Sequence, residues 1–300
     1  MWSDEAMKIR IGISLGPAAT PDGLASTVGM LEEAGIDSLW LSEVVYGGIV
    51  EPLVGMGYAL ATTKRLKVGT GVAVLPGRHP ILVAKQLTSL AALAPGRVLP
   101  VFGLKPARRA EIAAFPVQGH RGAVFDESLR LLRRLVSEDA VSFNGEFFSV
   151  ENASVGPLPA KPLDIWLGGS APGALRRVGE LGDGWLASFL TPAEAAHGRE
   201  QIQAAAAQAD REVDPEHFGI SLAVGPLTPD IIRAIEQRRP GVDPATLAPA
   251  DWKAVRARIE EYVAAGLSKF VIRPSTAPAN GDGMRRFIDE FVDELVPMQT

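Results

Sequence analysis

The sequence contains no cysteine. This absence excludes disulfide bonds, thiol nucleophiles, thiolate-bound metal ions and iron–sulfur clusters. Histidine is also scarce, and the four histidines lack the short paired spacing of metal ligands: His79, His120, His197 and His217. We therefore expect no metal site in this protein.

Membrane and nucleic-acid signals are missing as well. No run of about 18 or more apolar residues occurs, so we expect no membrane-spanning segment. The net charge is −5 and the basic residues form no stripe, which argues against a nucleic-acid partner. Residues 1–10 carry Asp4 and Glu5 and lack the apolar core of a secretory signal, so we expect a cytoplasmic protein.

What the sequence does have is a regular alternation of short apolar segments with amphipathic helices. The predicted strands are apolar on both faces, as parallel strands covered by helices are: Lys8–Leu15, Asp37–Ser42, Leu66–Val74, Arg97–Gly103, Leu163–Leu167, Gly184–Ser188, Phe218–Val224 and Ser268–Arg273. Eight strands, each followed by a helix, predict an α/β fold, a (β/α)8 TIM barrel that forms one domain over residues 1–300.

The alternative is a doubly wound open sheet. It would usually carry a Gly-x-Gly-x-x-Gly turn after the first strand, whereas this strand ends Leu15-Gly16-Pro17.

Two segments depart from the alternation. Val141–Val150 is predicted to be a small β-hairpin, with Asn144-Gly145 as its turn. Gly225–Pro249, which precedes the last helix–strand unit, contains five prolines and is predicted to be irregular. We expect this second segment to lie over the barrel mouth and to shape specificity.

Glycine recurs where predicted strands end, and that face of a TIM barrel carries the active site. Gly71 lies in the third strand, Gly103 ends the fourth, and Gly168-Gly169-Ser170 follows the fifth. A glycine admits a flat ligand close to the backbone, although each could equally serve to end a strand. The Gly168-Gly169-Ser170 turn leads into a helix that begins near Pro172, where free N–H groups could hold a phosphate or simply cap the helix.

Two charged residues also stand at predicted strand ends. Glu43 follows the second strand and could act as a general acid or base, bond a cofactor ring or backbone N–H, or pair with an arginine. Of these, the structural role is favoured, because an ion pair commonly explains a lone carboxylate at the mouth. Arg273 ends the eighth strand and is a candidate for anion binding, with a salt bridge as the alternative.

Five stretches together carry a likeness to a known family. They cover most of residues 8–190: Glu32–Glu43; Val68–Val72 with Arg78-His79-Pro80; Leu93–Gly103; Val141–Phe148; and Pro162–Gly169 with Gly182–Trp185. The chain resembles the luciferase-like monooxygenases, and within them the coenzyme F420-dependent oxidoreductases. The last stretch is the most specific to that family.

The resemblance implies a barrel with an insertion, a cofactor lying across the mouth, and commonly a homodimer. The third-strand segment of the family lies against the flavin or deazaflavin ring, often with a non-proline cis peptide, and the turn after strand five lies near the phosphate. The cofactor site that follows from this likeness and from the strand-end glycines consists of Thr70, Gly71, Val72, Gly103, Gly168, Gly169 and Ser170.

The chain departs from the family at two strand ends. Many relatives carry a histidine, the usual catalytic candidate, where this sequence has Val44. The fourth strand ends Gly103-Leu104-Lys105 instead of the common Gly-x-Gly. Glu43 is then the nearest titratable replacement and the catalytic candidate.

These features favour an oxidoreductase that transfers hydride between coenzyme F420 and a small organic substrate. Hydride transfer requires no side-chain nucleophile, so the missing histidine is compatible with it. One alternative is a monooxygenase that uses reduced FMN and oxygen. Another is a non-catalytic barrel that binds a flavin or deazaflavin.

Overall fold

A computed structural model describes residues 7–278 and 281–300. Twelve strands occur in the described residues. In chain order, they are β1 (Arg10–Ser14), β2 (Ser38–Leu41), β3 (Lys67–Thr70), β4 (Ala73–Val74), β5 (Val98–Leu99), β6 (Val101–Gly103), β7 (Val141–Asn144), β8 (Ser149–Ala153), β9 (Trp166–Gly168), β10 (Gly184–Ser188), β11 (Phe218–Val224) and β12 (Lys269–Pro274).

Ten of these strands form one parallel sheet in the order β4-β6-β9-β10-β11-β12-β1-β2-β3-β5. The third barrel strand is interrupted into β3 and β4, and the fourth into β5 and β6. Because β3 pairs with β5 while β4 pairs with β6, the two ends of this order are the same pair of strands. The sheet therefore closes into the predicted barrel of eight strand positions.

Helices surround the barrel, and most of them begin at a proline that follows a capping side chain. In chain order, they are α1 (Pro21–Glu33), α2 (Pro52–Thr62), α3 (Pro80–Leu93), α4 (Arg121–Leu135), α5 (Pro172–Leu181), α6 (Pro192–Gln208), α7 (Pro229–Arg238), α8 (Pro244–Leu247), α9 (Trp252–Ala264) and α10 (Gly281–Leu295). Proline suits the first helical position because that position needs no N–H donor. Thr191, for example, caps α6 in a reciprocal capping box with Glu194.

Side chains alternate between the helix-covered outside of the barrel and its interior, as the pleat of a strand requires. The interior holds a small apolar cluster of Trp40, Val101, Leu186 and Val271. Below that cluster, at the amino-terminal ends of the strands, Lys269 pairs with Asp37, which also bonds Lys67 at 2.9 Å. The packed interior fixes the strands, so that their carboxyl ends form one rim.

The hairpin insertion is confirmed, since β7 and β8 pair antiparallel around the predicted Asn144-Gly145 turn. The prediction that Gly225–Pro249 is irregular is wrong, because the segment contains α7 and the short α8. Two of its prolines occupy the first helical positions, directly after the capping residues Thr228 and Asp243. These prolines therefore begin helices instead of breaking them.

None of the described helices combines the length and the apolar character needed to cross a membrane. The single domain over residues 1–300, the cytoplasmic location and the absence of a nucleic-acid partner stay predictions from the sequence.

Candidate functional site

The carboxyl ends of the strands bring most of the predicted cofactor residues to one side of the barrel rim. β4 lies beside β6, with Val74 paired to Gly103, and β6 lies beside β9, with Phe102 paired to Leu167. The third, fourth and fifth barrel strands are therefore adjacent here. The predicted segments Thr70–Val72, Gly103 and Gly168–Ser170 end on these three neighbours.

The break between β3 and β4 contains a cis peptide bond between Gly71 and Val72, so the expectation of a non-proline cis peptide in this segment is confirmed. The hydroxyl of Ser42 donates a hydrogen bond to the Gly71 carbonyl oxygen at 3.0 Å. On the other side, the hydroxyl of Thr70 donates to the Val101 carbonyl at 2.6 Å and accepts from the Val101 N–H at 2.8 Å. Neighbouring strands thus hold both flanks of the cis segment.

Val72 lies between two of the predicted glycines. A Cβ atom built on Gly103 would stand 2.7 Å from Cγ2 of Val72, and one built on Gly168 would stand 3.0 Å from Cγ1. The first distance is an overlap that would displace Val72, and the second is tighter than an ordinary contact, so a side chain at either position would press on Val72. Gly103 and Gly168 therefore leave the surface around Val72 nearly free of other side chains. We call this surface, formed by Val72, Gly103 and Gly168, the Val72 floor.

The turn after β9 has the backbone shape that its glycines predict. Gly169 adopts a φ of +108°, a region that favours glycine, and its carbonyl accepts a hydrogen bond from the Trp185 indole at 2.7 Å. Ser170 is exposed, and α5 begins two residues later without a side-chain cap. Because α5 begins at a proline and the Ala174 N–H already bonds the Ala171 carbonyl oxygen at 2.8 Å, the Gly173 N–H is the donor that the first turn leaves for an external acceptor.

Glu43 is buried at the same rim, and its carboxylate is fully engaged. Its Oε2 accepts from the Val74 N–H at 2.6 Å and from Nη1 of Arg78 at 3.0 Å. The second Arg78 nitrogen bonds Oε1, so the two side chains form a two-point ion pair. The arginine pairing that the sequence left open is therefore confirmed, while a catalytic role of Glu43 stays a prediction.

Two members of this rim, Ser42 and Arg78, lie in the family-like stretches of the sequence but were not among the predicted site residues. Arg78 lies 35 positions beyond Glu43, and no local spacing links the two residues. The available signal is topological, since each follows the end of a neighbouring barrel strand. Ser42 precedes Glu43 and carries the hydroxyl that reaches the next strand.

The loops that follow β2 and β6 are joined at the mouth by the backbone of Tyr46. Its N–H donates to Oε1 of Glu111 at 3.2 Å, and its carbonyl accepts from Nη1 of Arg108 at 2.9 Å. Glu111 is buried, whereas the Tyr46 side chain is exposed. The loop after β2 is thus held by the loop after β6, with an aromatic ring presented to solvent beside Val44.

Comparison with known proteins gives one family match. A sequence model of the luciferase-like monooxygenases matches residues 6–227. An F420-dependent glucose-6-phosphate dehydrogenase of Kineococcus radiotolerans is 27% identical over 319 aligned positions, which cover 93% of each chain.

Two solved structures illustrate the shared fold. An F420-dependent secondary alcohol dehydrogenase in complex with an F420–acetone adduct superposes with a TM-score of 0.79 at 20% identity, over 98% of this chain and 100% of that one. The oxygenating constituent of the 3,6-diketocamphane monooxygenase of Pseudomonas putida, in complex with FMN, superposes with a TM-score of 0.75 at 16% identity, over 98% and 99%. At these identities the likeness concerns the fold alone.

Proposed function

Because the chain belongs to the luciferase-like monooxygenase family, we propose that it is an oxidoreductase that transfers hydride between coenzyme F420 and an organic substrate. The relative of Kineococcus radiotolerans, which is matched over nearly its whole length, is named for its use of F420, and this supports the choice of cofactor. The bound deazaflavin would supply the hydride chemistry, and the protein would supply binding, orientation and the exclusion of water.

The observation that carries the proposal is the Val72 floor. Gly103 and Gly168 are glycines where any side chain would press on Val72. Together with the Gly71–Val72 cis peptide, they make a rim surface of backbone and one small side chain. Such a surface fits the flat face of a deazaflavin ring, with Thr70 behind it bonded to the next strand.

The turn after β9 supports a place for the cofactor phosphate. Gly169 and Ser170 are exposed and stand directly before the uncapped start of α5. The Gly173 N–H and the positive end of the helix dipole favour an anionic group. We assign the phosphate to this turn after the fifth barrel strand and the ring to the Val72 floor, where Val72 itself lies two strand positions away on the third.

We propose that Glu43 acts by positioning. Its carboxylate is bonded to the Val74 N–H and to Arg78, so it ties β4, directly after the cis segment, to the end of β2. A free acid–base group would need an open hydrogen-bonding direction toward the substrate. Val44, the next residue, has no side-chain proton to exchange, which suits hydride transfer between two carbon centres.

A parallel titration of the purified protein with F420 and with FMN tests the cofactor, with ultraviolet–visible absorption as the readout. We expect saturable binding of F420 and weaker binding of FMN. Tight binding of FMN without binding of F420 would replace the proposal with the FMN-dependent monooxygenase. Binding of F420 without its reduction or oxidation by any of a panel of alcohols, aldehydes and enones would favour the non-catalytic barrel.

We also propose a homodimer that buries the outer faces of α2 and α3. Each helix carries two strongly exposed apolar side chains at helical spacing: Val54 and Tyr58 on α2, and Leu82 and Leu93 on α3. Exposed apolar patches of this kind mark association surfaces. Light scattering during size-exclusion chromatography should give twice the mass of one chain for the wild type. Leu82→Glu should lower the measured mass to that of a single chain.

A further inference from the structure

The last barrel strand places an arginine in the mouth without an acidic partner. Val271 belongs to the interior cluster of the barrel, so Arg273, two residues further along β12, also faces the interior. In the described part of the chain, the Arg273 guanidinium forms no ion pair, and its one hydrogen bond is a long one to the Pro274 carbonyl, at 3.5 Å. We propose that Arg273, together with Arg238, binds an anionic oxygen group of the substrate.

Two other cations of the barrel interior and rim are neutralised by acidic partners. Lys269 is paired with Asp37, and Arg78 is paired with Glu43. A guanidinium that is withdrawn from water without a counter-ion is unfavourable, and proteins seldom retain one without a reason. Arg273 departs from this pattern at the end of the barrel where substrates bind.

Arg238 brings a second positive charge to the same side of the mouth. It lies in the last turn of α7, where its guanidinium carbon stands 4.3 Å from the centroid of the Phe189 ring, just beyond β10. Among the described residues, Arg238 has no ion-pair partner either. Burial lowers the pKa of Arg273, and the charge of Arg238 lowers it further. A bound anion would relieve both the desolvation and the mutual repulsion.

This anion is not the cofactor phosphate. The phosphate turn follows β9, whereas Arg273 ends β12, and β10 and β11 lie between them in the ring. Three steps at about 4.8 Å each separate the two positions along the wall, so they face each other across the mouth. On the two strands between them, Ser188 of β10 is paired in register with Ser221 of β11.

The proposal therefore deepens the proposed function, on which it rests, by adding a substrate class. The organic molecule that exchanges hydride with the deazaflavin carries a carboxylate or phosphate, which Arg273 holds at the β12 side. α7 contributes Arg238, so the segment 225–249 takes part in specificity through its helix.

The test uses inorganic phosphate as the probe and the melting temperature of the full-length protein as the readout, with and without saturating F420. The variants are Arg273→Met, which keeps a flexible apolar stem without the charge, and Arg238→Gln. Arg233→Gln is the matched control, because Arg233 lies on the same helix, is exposed and pairs with Asp230.

With saturating F420 present, so that the phosphate turn after β9 is occupied, we expect inorganic phosphate to raise the melting temperature of the wild type and of Arg233→Gln and not to change that of Arg273→Met. Arg238→Gln should show a reduced shift. Without phosphate, Arg273→Met should melt at or above the wild-type temperature, because an unpaired buried charge has been removed. The dissociation constant of Arg273→Met for F420 should differ from that of the wild type by less than about threefold, which corresponds to under 1 kcal/mol.

Three results would overturn the proposal. They are an absent phosphate shift in the wild type, an equal shift in Arg273→Met, and a tenfold or greater loss of F420 affinity in Arg273→Met, which would assign the arginine to the cofactor. Failure of the wild type to bind F420 would instead overturn the proposed function, while the phosphate shift would still report on Arg273.

Discussion

Gly103 lacks a side chain at the point where Val72 approaches it most closely, since a Cβ on Gly103 would stand 2.7 Å from Cγ2 of Val72. The two residues lie on neighbouring barrel strands, and β4 pairs with β6 directly beyond them. The position of the Val72 side chain therefore depends on a residue about thirty positions later in the chain. Substitutions at Gly103 and Val72 therefore test whether the F420 ring lies on the Val72 floor.

Gly103→Ala should weaken F420 binding by about tenfold or more, because the added methyl group displaces Val72 and overpacks the rim, at a typical cost of about 1–3 kcal/mol. Val72→Ala should weaken binding less, and the double variant should bind better than Gly103→Ala alone. Fluorescence or absorption titration with F420 measures all three. Gly29→Ala on α1, where a Cβ meets nothing within 4 Å, is the control and should leave binding unchanged.

If Gly103→Ala and the double variant bind F420 equally weakly, Val72 is not the group that the new methyl displaces. If Gly103→Ala binds as well as the wild type, the ring does not lie on this floor.

Glu43→Gln should lower both stability and F420 affinity without moving the pH dependence of turnover. The amide keeps a bond to the Val74 N–H but leaves Arg78 without its counter-ion, and breaking a buried pair costs about 3 kcal/mol. Urea denaturation and a pH profile of kcat measure the two effects. Glu294→Gln, which breaks a surface pair with Arg256, should change stability far less.

A catalytic role for Glu43 makes the opposite prediction. In that case kcat would fall by orders of magnitude and one limb of the pH profile would disappear, while F420 affinity and stability would be little changed.

Much of the fold could be predicted because its signals are local. The predicted strands Gly184–Ser188 and Phe218–Val224 have the bounds found in the structure, since a short apolar run acts within one element. The Gly225–Pro249 segment was misjudged because a proline behind a capping residue begins a helix, whereas proline density alone suggests a loop.

The site was predictable only in part, because its contacts join different strands. The glycines could be placed at the rim, but the reason for them, the Val72 side chain, appears only when β4, β6 and β9 are adjacent. The pairing of Glu43 with Arg78, and the absence of an ion-pair partner for Arg273 among residues 7–278 and 281–300, are likewise properties of the closed barrel. No spacing along the chain encodes them.

The ion cluster at the bottom of the barrel should make stability depend on pH in the acid range. Burial alone would raise the pKa of Asp37, but Lys269 and Lys67 outweigh it and hold that pKa below its ordinary value of about 3.9. A depressed carboxyl pKa stabilises the fold above the unfolded value, and this contribution is lost as the pH falls below about 4. Urea midpoints at pH 7 and pH 3 measure it.

The matched variant is the double substitution Asp37→Asn with Lys269→Met, which removes the charge pair at its centre. It should lose less stability between pH 7 and pH 3 than the wild type does. Asp37→Asn alone should be strongly destabilised at pH 7, because it leaves Lys269 buried without its partner, at a cost of about 3–5 kcal/mol. Equal acid sensitivity of the wild type and the double variant would contradict this account.

Arg108→Ala should loosen the loop after β2 and raise KM for the organic substrate, with little change in F420 affinity. Arg108 holds the Tyr46 carbonyl at 2.9 Å, and without it the loop keeps the Tyr46 N–H bond to Glu111 but loses the second attachment. Hydrogen–deuterium exchange over residues 44–49 should become faster, because loss of a stabilising contact increases local opening. Arg109→Ala removes an adjacent exposed arginine that does not bond Tyr46, and it should leave both the exchange rate and KM unchanged. If the two alanine variants behave alike, the Tyr46 attachment does not organise the substrate side of the mouth, and the exposed Tyr46 ring has no part in binding.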